Sequence, residues 1–249
     1  MKPTKPAAEM TIAELAVYVD HSVLKPEFTP DEIRREVENG IRYGCRTVCV
    51  NPASVEIAAP LCDGTATGVC VVVDFPFGCS STASKVAQTR IALEGGVQEL
   101  DLVANYGWIR GGELKRVEED IRAVVEPCHD AGVIVKVILE TDALTRDQIR
   151  AAAEAAIAAG ADFIKTSTGF YTGTNQHEAT GAFDDMVALM MKAAAGRCRV
   201  KGSGEIRDRE DFLRLIDAGI DRMGVGYRST PVVLGVVEDG AGSADAGGY

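Results

Sequence analysis

The stretch Gly160-Ala-Asp-Phe-Ile-Lys165-Thr-Ser-Thr-Gly169-Phe170 decides how the chain is read. An alanine-rich helix capped by Thr145 runs up to it through Ala159. Gly160 stops that helix, because glycine takes the left-handed conformation of a helix end without strain. Residues 162–165 then have strand character, and a loop of small hydroxyl residues follows. A strand ending in lysine is unusual. Lysine is rarely buried, and an unpaired buried ammonium is costly. That cost has a use: a desolvated lysine titrates low, and a neutral amine is a nucleophile.

The same unit of helix, glycine and strand recurs outward in both directions. Downstream, a helix over residues 183–195 meets Gly196 before a strand over 198–201. Asp208 then caps a helix to Ala218, stopped by Gly219 before a strand over 221–225. Upstream, a helix over 113–131 meets Gly132 before a strand over 133–139, and one over 84–94 meets Gly95-Gly96 before a strand over 98–104. Earlier strands are expected over 17–21, 46–50 and 68–76. Between them lie a helix opened by Thr29-Pro30-Asp31-Glu32, ending near Gly44, and a short one over 53–59. Proline in the first turn with acids beside it is a strong helix start. A short leading helix over 11–17 carries a capping box, Thr11 with Glu14.

Eight largely apolar strands alternating with helices predict parallel strands buried on both faces. In this length they favour a closed (β/α)8 TIM barrel, one domain over residues 1–237. An open doubly wound sheet is the alternative, but no Gly-x-Gly-x-x-Gly follows the first strand. Residues 238–249, rich in glycine, read as a flexible tail.

The chain has 249 residues and a net charge of −11, which disfavours nucleic acid and anionic membranes as partners. The start is too short and polar for a signal peptide, and no apolar run is long enough to span a bilayer. Seven scattered cysteines without a Cys-x-x-Cys pair read as reduced, cytoplasmic thiols. The three histidines, His21, His129 and His177, form no metal-binding pattern, so no metal is expected.

In a barrel, chemistry sits at the carboxyl ends of the strands. Asp101, Lys165 and Lys201 fall there, Lys136 lies inside the fifth strand, Asp20 and Ser22 end the first, and Cys49 lies near the end of the second. Two lysines and an acid at one mouth are expensive unless they serve one another. One ammonium disfavours a charge on the other, and the carboxylate offsets part of it. That set suits imine formation with a carbonyl. Glu99 and Arg199 are expected to pair at the barrel floor, Cys49 to serve packing more than attack, and His129 and His177 to face solvent.

Six segments together resemble the deoxyribose-phosphate aldolases, class I aldolases on a (β/α)8 barrel. They are Val19-Asp-His-Ser-Val-Leu-Lys-Pro26, Thr47-Val-Cys-Val-Asn-Pro52, Glu99-Leu-Asp-Leu-Val-Ala-Asn105, Val135-Lys-Val-Ile-Leu-Glu-Thr141, residues 160–170 and Val200-Lys-Gly-Ser-Gly-Glu-Ile-Arg207. The resemblance implies a Schiff base on Lys165, a proton relay through Asp101 and Lys201, and no metal or organic cofactor. It implies an aldehyde or sugar-phosphate substrate, reversible cleavage of 2-deoxy-D-ribose 5-phosphate, and a homodimer or homotetramer as the open choices of assembly. Residues implied to line the substrate are Ser22, Cys49, Lys136, Thr168, Gly169, Ser203, Gly204, Arg207, Gly224 and Gly226. Some members carry a tail ending in a tyrosine that reaches the site, and here the last residue is Tyr249.

The pattern breaks at the phosphate end. Glu205 stands where the family carries glycine after the seventh strand. Gly226-Tyr227 replaces a pair of serines after the eighth, and Asp74-Phe-Pro replaces Gly-Phe-Pro after the third. A carboxylate near a phosphate dianion repels it, and Arg207 and Arg228 are the candidates to offset it. A non-phosphorylated substrate, another imine-forming reaction, and a sugar-binding barrel without catalysis stay open as alternatives.

Overall fold

A computed structural model describes residues 3–236. The expected tail and Tyr249 lie outside the described residues. Eight parallel strands close into a barrel in sequence order: β1 (Val19–Val23), β2 (Thr47–Val50), β3 (Gly68–Val73), β4 (Glu99–Val103), β5 (Ile134–Ile138), β6 (Phe163–Lys165), β7 (Arg199–Ser203) and β8 (Arg222–Gly226). Helices α1 (Ile12–Ala16), α2 (Pro30–Arg42), α3 (Val55–Cys62), α4 (Thr82–Glu94), α5 (Tyr106–Arg110), α6 (Leu114–Asp130), α7 (Arg146–Ala158), α8 (Asp184–Ala194), α9 (Arg209–Ala218) and α10 (Thr230–Leu234) lie between and after the strands. None of the described helices is long and apolar enough to cross a membrane.

Strand parity explains why this sequence closes as it does. Val48, Val50, Val69, Val71, Leu100, Leu102, Val135, Val137, Ile164 and Val225 are buried in the large core shared with the helices. The alternate positions point inward, and many are polar: Asp20, Glu99, Asp101, Lys136, Lys165 and Lys201. Inside the barrel, Leu24, Cys49, Cys70 and Val72 form a separate small apolar patch, with Phe75 and Phe170 packed on it. Capping boxes at Thr11, Thr29 and Thr145 fix the starts of α1, α2 and α7; each such cap typically contributes about 1 kcal/mol.

Two expectations are corrected, and two short helices were not expected. The first strand begins at Val19, because Val17 caps α1 and stays exposed. Helix α8 ends on Ala195, itself left-handed at φ 48°, one residue before the expected glycine stop. Helices α5 and α10, five residues each, are too short to show a hydrophobic period.

Candidate active site

β4, β5, β6 and β7 are neighbours, so their inward residues meet. Asp101 pairs in register with Lys136, and Lys165 with Lys201. Oδ2 of Asp101 accepts from Nζ of Lys165 at 2.8 Å and from Nζ of Lys201 at 2.8 Å. Its Oδ1 accepts from Lys136 at 2.8 Å. One carboxylate therefore holds three ammonium groups. Lys136 and Lys201 are fully buried, and Lys165, at 3 % exposure, keeps an edge toward the mouth.

The cluster continues inward. Lys201 also meets Asp20 Oδ2 at 2.5 Å, and Lys136 meets Glu99 Oε2 at 2.8 Å. Arg222 closes the floor, at 2.5 Å from Asp20 Oδ1 and 3.1 Å from Glu99 Oε2. Thr47 donates to Asp20 at 2.7 Å. Asp20, Glu99 and Asp101 thus face Lys136, Lys165, Lys201 and Arg222, a cluster with one more cationic side chain than carboxylates. Unpaired charges at this depth would be severely unfavourable, so the groups depend on one another.

Burial opposes the charge on Asp101, but Lys136, Lys165 and Lys201 outweigh it and hold its carboxyl well below the usual range. Burial likewise opposes the charge on Lys201, while Asp101 and Asp20 hold it above the ordinary lysine value. Lys136 is raised against the same penalty by Asp101, Cys70, Asp20 and Glu99. Lys201 and Lys136 each reach more than one carboxylate. Lys165 reaches one carboxylate oxygen, shared with Lys201.

The residues expected to line substrate separate into groups. Ser22 and Cys49 are buried inside the barrel. The Cys49 thiol is lowered by a hydrogen bond from Cys70, with burial opposing, and Cys70 lies 3.2 Å from both Asp101 Oδ1 and Lys136 Nζ. Lys136 sits deeper than expected, inside the charge cluster and away from the rim. Thr168 is 1 % exposed, and its hydroxyl donates to Glu140 Oε2 and accepts from the Phe170 N–H at 3.0 Å, so that hydroxyl is committed within the protein. Ser203 is similarly engaged, its hydroxyl donating to the Ser167 carbonyl.

Gly169 and Gly204 take left-handed conformations at φ 82° and 87°. Gly224 leaves room for Lys201: a Cβ there would lie 3.3 Å from Lys201 Cε and 3.2 Å from Ser203 Cβ. Gly226 pairs with Ser22 in the register of β1 and β8. Arg207 lies exposed, tied to Glu205 at 3.0 Å, and Arg228 lies over the Tyr227 ring at 5.3 Å. Arg199 does not meet Glu99. Its guanidinium stacks 4.1 Å over Phe163, while Glu99 takes Arg222 and Lys136. His129 is exposed and bonds Asp162, whereas His177 is only partly exposed, bonded to the Thr141 carbonyl. A recess of about 580 Å³ lies at the opposite, amino end of the barrel, lined by Arg46, Thr67, Gln98 and Glu99 among others.

Asp20 and Arg222 belong to the cluster; sequence reasoning named Asp20 at the end of the first strand without a role in the site and gave Arg222 none. The parity of Asp20 with Ser22 and of Arg222 with Gly224 is the signal that would have placed them inside. Cys49, Cys70 and Asp101 are the described trio with spacing for a metal ion. The lysines on Asp101 and the Lys136 ammonium beside Cys70 oppose a cation there.

Residues 14–235 match the model of the DeoC/LacD family aldolases. The chain is 42 % identical over 207 residues to deoxyribose-phosphate aldolase 1 of Staphylococcus aureus strain MRSA252, covering 83 % of this chain and 90 % of that protein. It is 39 % identical over 236 residues to the deoxyribose-phosphate aldolase of Bacillus cytotoxicus, covering 95 % and 99 %. Its fold matches the tetrameric deoxyribose phosphate aldolase of Aeropyrum pernix with a TM-score of 0.81 at 28 % identity, covering 90 % and 91 %. The chain belongs to the DeoC/LacD family of aldolases, carbon–carbon lyases that fold as (β/α)8 barrels.

Proposed function

We propose that this protein is a class I aldolase that reversibly cleaves 2-deoxy-D-ribose 5-phosphate to acetaldehyde and glyceraldehyde 3-phosphate. The observation that carries the reading is the single Asp101 oxygen shared by Lys165 and Lys201. In this account Lys165, as the free amine, adds to the C1 aldehyde of the open sugar. Loss of water gives a protonated imine. A base removes the proton from the C3 hydroxyl, the C2–C3 bond breaks, and its electron pair moves into the imine as an enamine. Glyceraldehyde 3-phosphate leaves, C2 takes up a proton, and water releases acetaldehyde. Asp101 and Lys201 supply and accept these protons; such acid–base help typically contributes about 10²–10⁴-fold.

The Glu205–Arg207 pair favours a second reading, in which the substrate carries no phosphate. Arg207 is already partnered by a carboxylate, so it offers less to a dianion. Assembly as a tetramer, as in the Aeropyrum pernix protein, is part of the proposal and is read from mass in solution. Steady-state cleavage of 2-deoxyribose 5-phosphate and of 2-deoxyribose tests the substrate. A strong preference for the phosphorylated sugar supports the first reading. Equal or better cleavage of the free sugar supports the second, and cleavage of neither contradicts both.

A further inference from the structure

Glu140 follows β5 directly and is a non-glycine residue in the left-handed region, at φ 59° and ψ 66°. Non-glycine residues hold that conformation only where their surroundings enforce it, and such residues gather at functional sites. It forms a one-residue bulge facing the Lys165–Thr166 step. The N–H of Leu139 donates to the Lys165 carbonyl at 3.0 Å, and that of Thr141 to the Thr166 carbonyl at 2.9 Å. Bulges re-aim a side chain, and this one turns the Glu140 carboxylate onto the loop after Lys165.

There, Oε1 accepts from the Thr168 N–H at 3.1 Å and Oε2 from the Thr168 hydroxyl. The Thr168 hydroxyl in turn accepts from the Phe170 N–H at 3.0 Å. Glu140 is 1 % exposed. The segment from Lys165 to Thr168 is therefore held at its start by the backbone of Leu139 and Thr141, either side of Glu140, and at its end by the Glu140 carboxylate. The following turn extends the hold, since the Asp142 carboxylate accepts from the Gly181 N–H at 3.0 Å.

We infer that Glu140 is a positioning residue for the reaction, fixing the Lys165–Thr168 segment so that the lysine amine stays aimed at Asp101 and Lys201. The inference rests on the imine chemistry proposed above. The groups that face Glu140 electrically are Asp142 in the same turn, Lys165 on β6 and Tyr106 on α5. Burial, with Asp142 adding to it, lifts the Glu140 carboxyl to about 7, while its bonds from Thr168 and the charge of Lys165 pull the other way. Protonation takes an acceptor lone pair from the clasp, so positioning depends on pH.

The test is the rate at which acetaldehyde and cyanoborohydride alkylate Lys165, followed by peptide mass mapping in the full chain from about pH 6 to about pH 8. Misplacement of a reacting group can cost about 10²-fold. E140Q and T168V are expected to slow alkylation by about 10- to 100-fold and to flatten its pH dependence near 7. If E140Q folds and alkylates at the parent rate with the parent pH profile, the positioning role is overturned and the imine chemistry stands. If the parent itself shows no alkylation at Lys165, the imine chemistry fails and the role falls with it.

Discussion

The side-chain nitrogens of Lys165 and Lys201 each lie 2.8 Å from one oxygen, Oδ2 of Asp101. Two amines on a single acceptor cannot both be fully satisfied by it. Lys201 has Asp20 as a second carboxylate partner, whereas Lys165, nearer the mouth, shares its Asp101 oxygen with Lys201. In the proposed account, this arrangement places the nucleophile, a carboxylate and a retained ammonium at one point.

Asp101→Asn keeps the shape and removes the charge. Three ammonium groups then lose their common partner, and breaking such a buried pair costs about 3–5 kcal/mol. Turnover is expected to fall by about 10²–10⁴-fold. Chemical denaturation and steady-state kinetics measure the two effects, and near-parent turnover would remove Asp101 from the chemistry.

Lys201→Met removes the retained proton while leaving Lys165 its bond to Asp101. Turnover is expected to drop by about 10²–10⁴-fold, with Lys165 still open to alkylation by acetaldehyde and hydride. Equal loss of both activities would mean that Lys201 acts by holding Lys165 in place.

Gly224→Ala crowds the Lys201 side chain, since the added Cβ lies 3.3 Å from Lys201 Cε and 3.2 Å from Ser203 Cβ. Overpacking of this kind costs about 1–3 kcal/mol. A lower melting temperature with a reduced kcat is expected, and unchanged kcat would show that Lys201 can yield without consequence.

His21, buried with Nδ1 2.8 Å from Thr230 Oγ1, gives a pH signature. Burial pushes its pKa down from 6.5 to about 4, with a hydrogen bond at Glu36 opposing. The unfolded chain therefore binds the proton first, and the folded state loses stability as pH falls from 6.5 toward 4. Melting temperatures of the parent should fall across that window, and those of His21→Asn should fall less steeply. Parallel slopes would show that His21 does not supply the effect.

Glu205→Gly tests the phosphate end. Position 205 sits at φ 60°, which glycine takes without strain, so the fold is expected to hold. Arg207 is released from its partner at 3.0 Å. The KM for 2-deoxyribose 5-phosphate should fall while that for 2-deoxyribose stays. No change in either would show that neither residue meets the phosphate.

The barrel and its central triad were legible because both rest on periodicity. Glycine stops mark most units and capping residues several of them, and the place of Asp101, Lys165 and Lys201 near strand ends is a property of the chain itself. What escaped reading depends on register between strands. The meeting of Asp20 with Lys201, and of Arg222 with Glu99, follows only from how β8 and β1 close the barrel. Arg199 was misassigned because shared parity allowed a partner, and the Phe163 ring took the guanidinium instead. Glu140 gave no sign, since a left-handed bulge at a glutamate breaks the local rule that a sequence reading relies on.

The account stands on covalent attachment at one nitrogen. Incubation with acetaldehyde and borohydride, then peptide mass mapping, measures it directly. The account predicts an N-ethyl group on Lys165 and its absence in Lys165→Met. Attachment elsewhere, or none in a folded and substrate-cleaving protein, contradicts it.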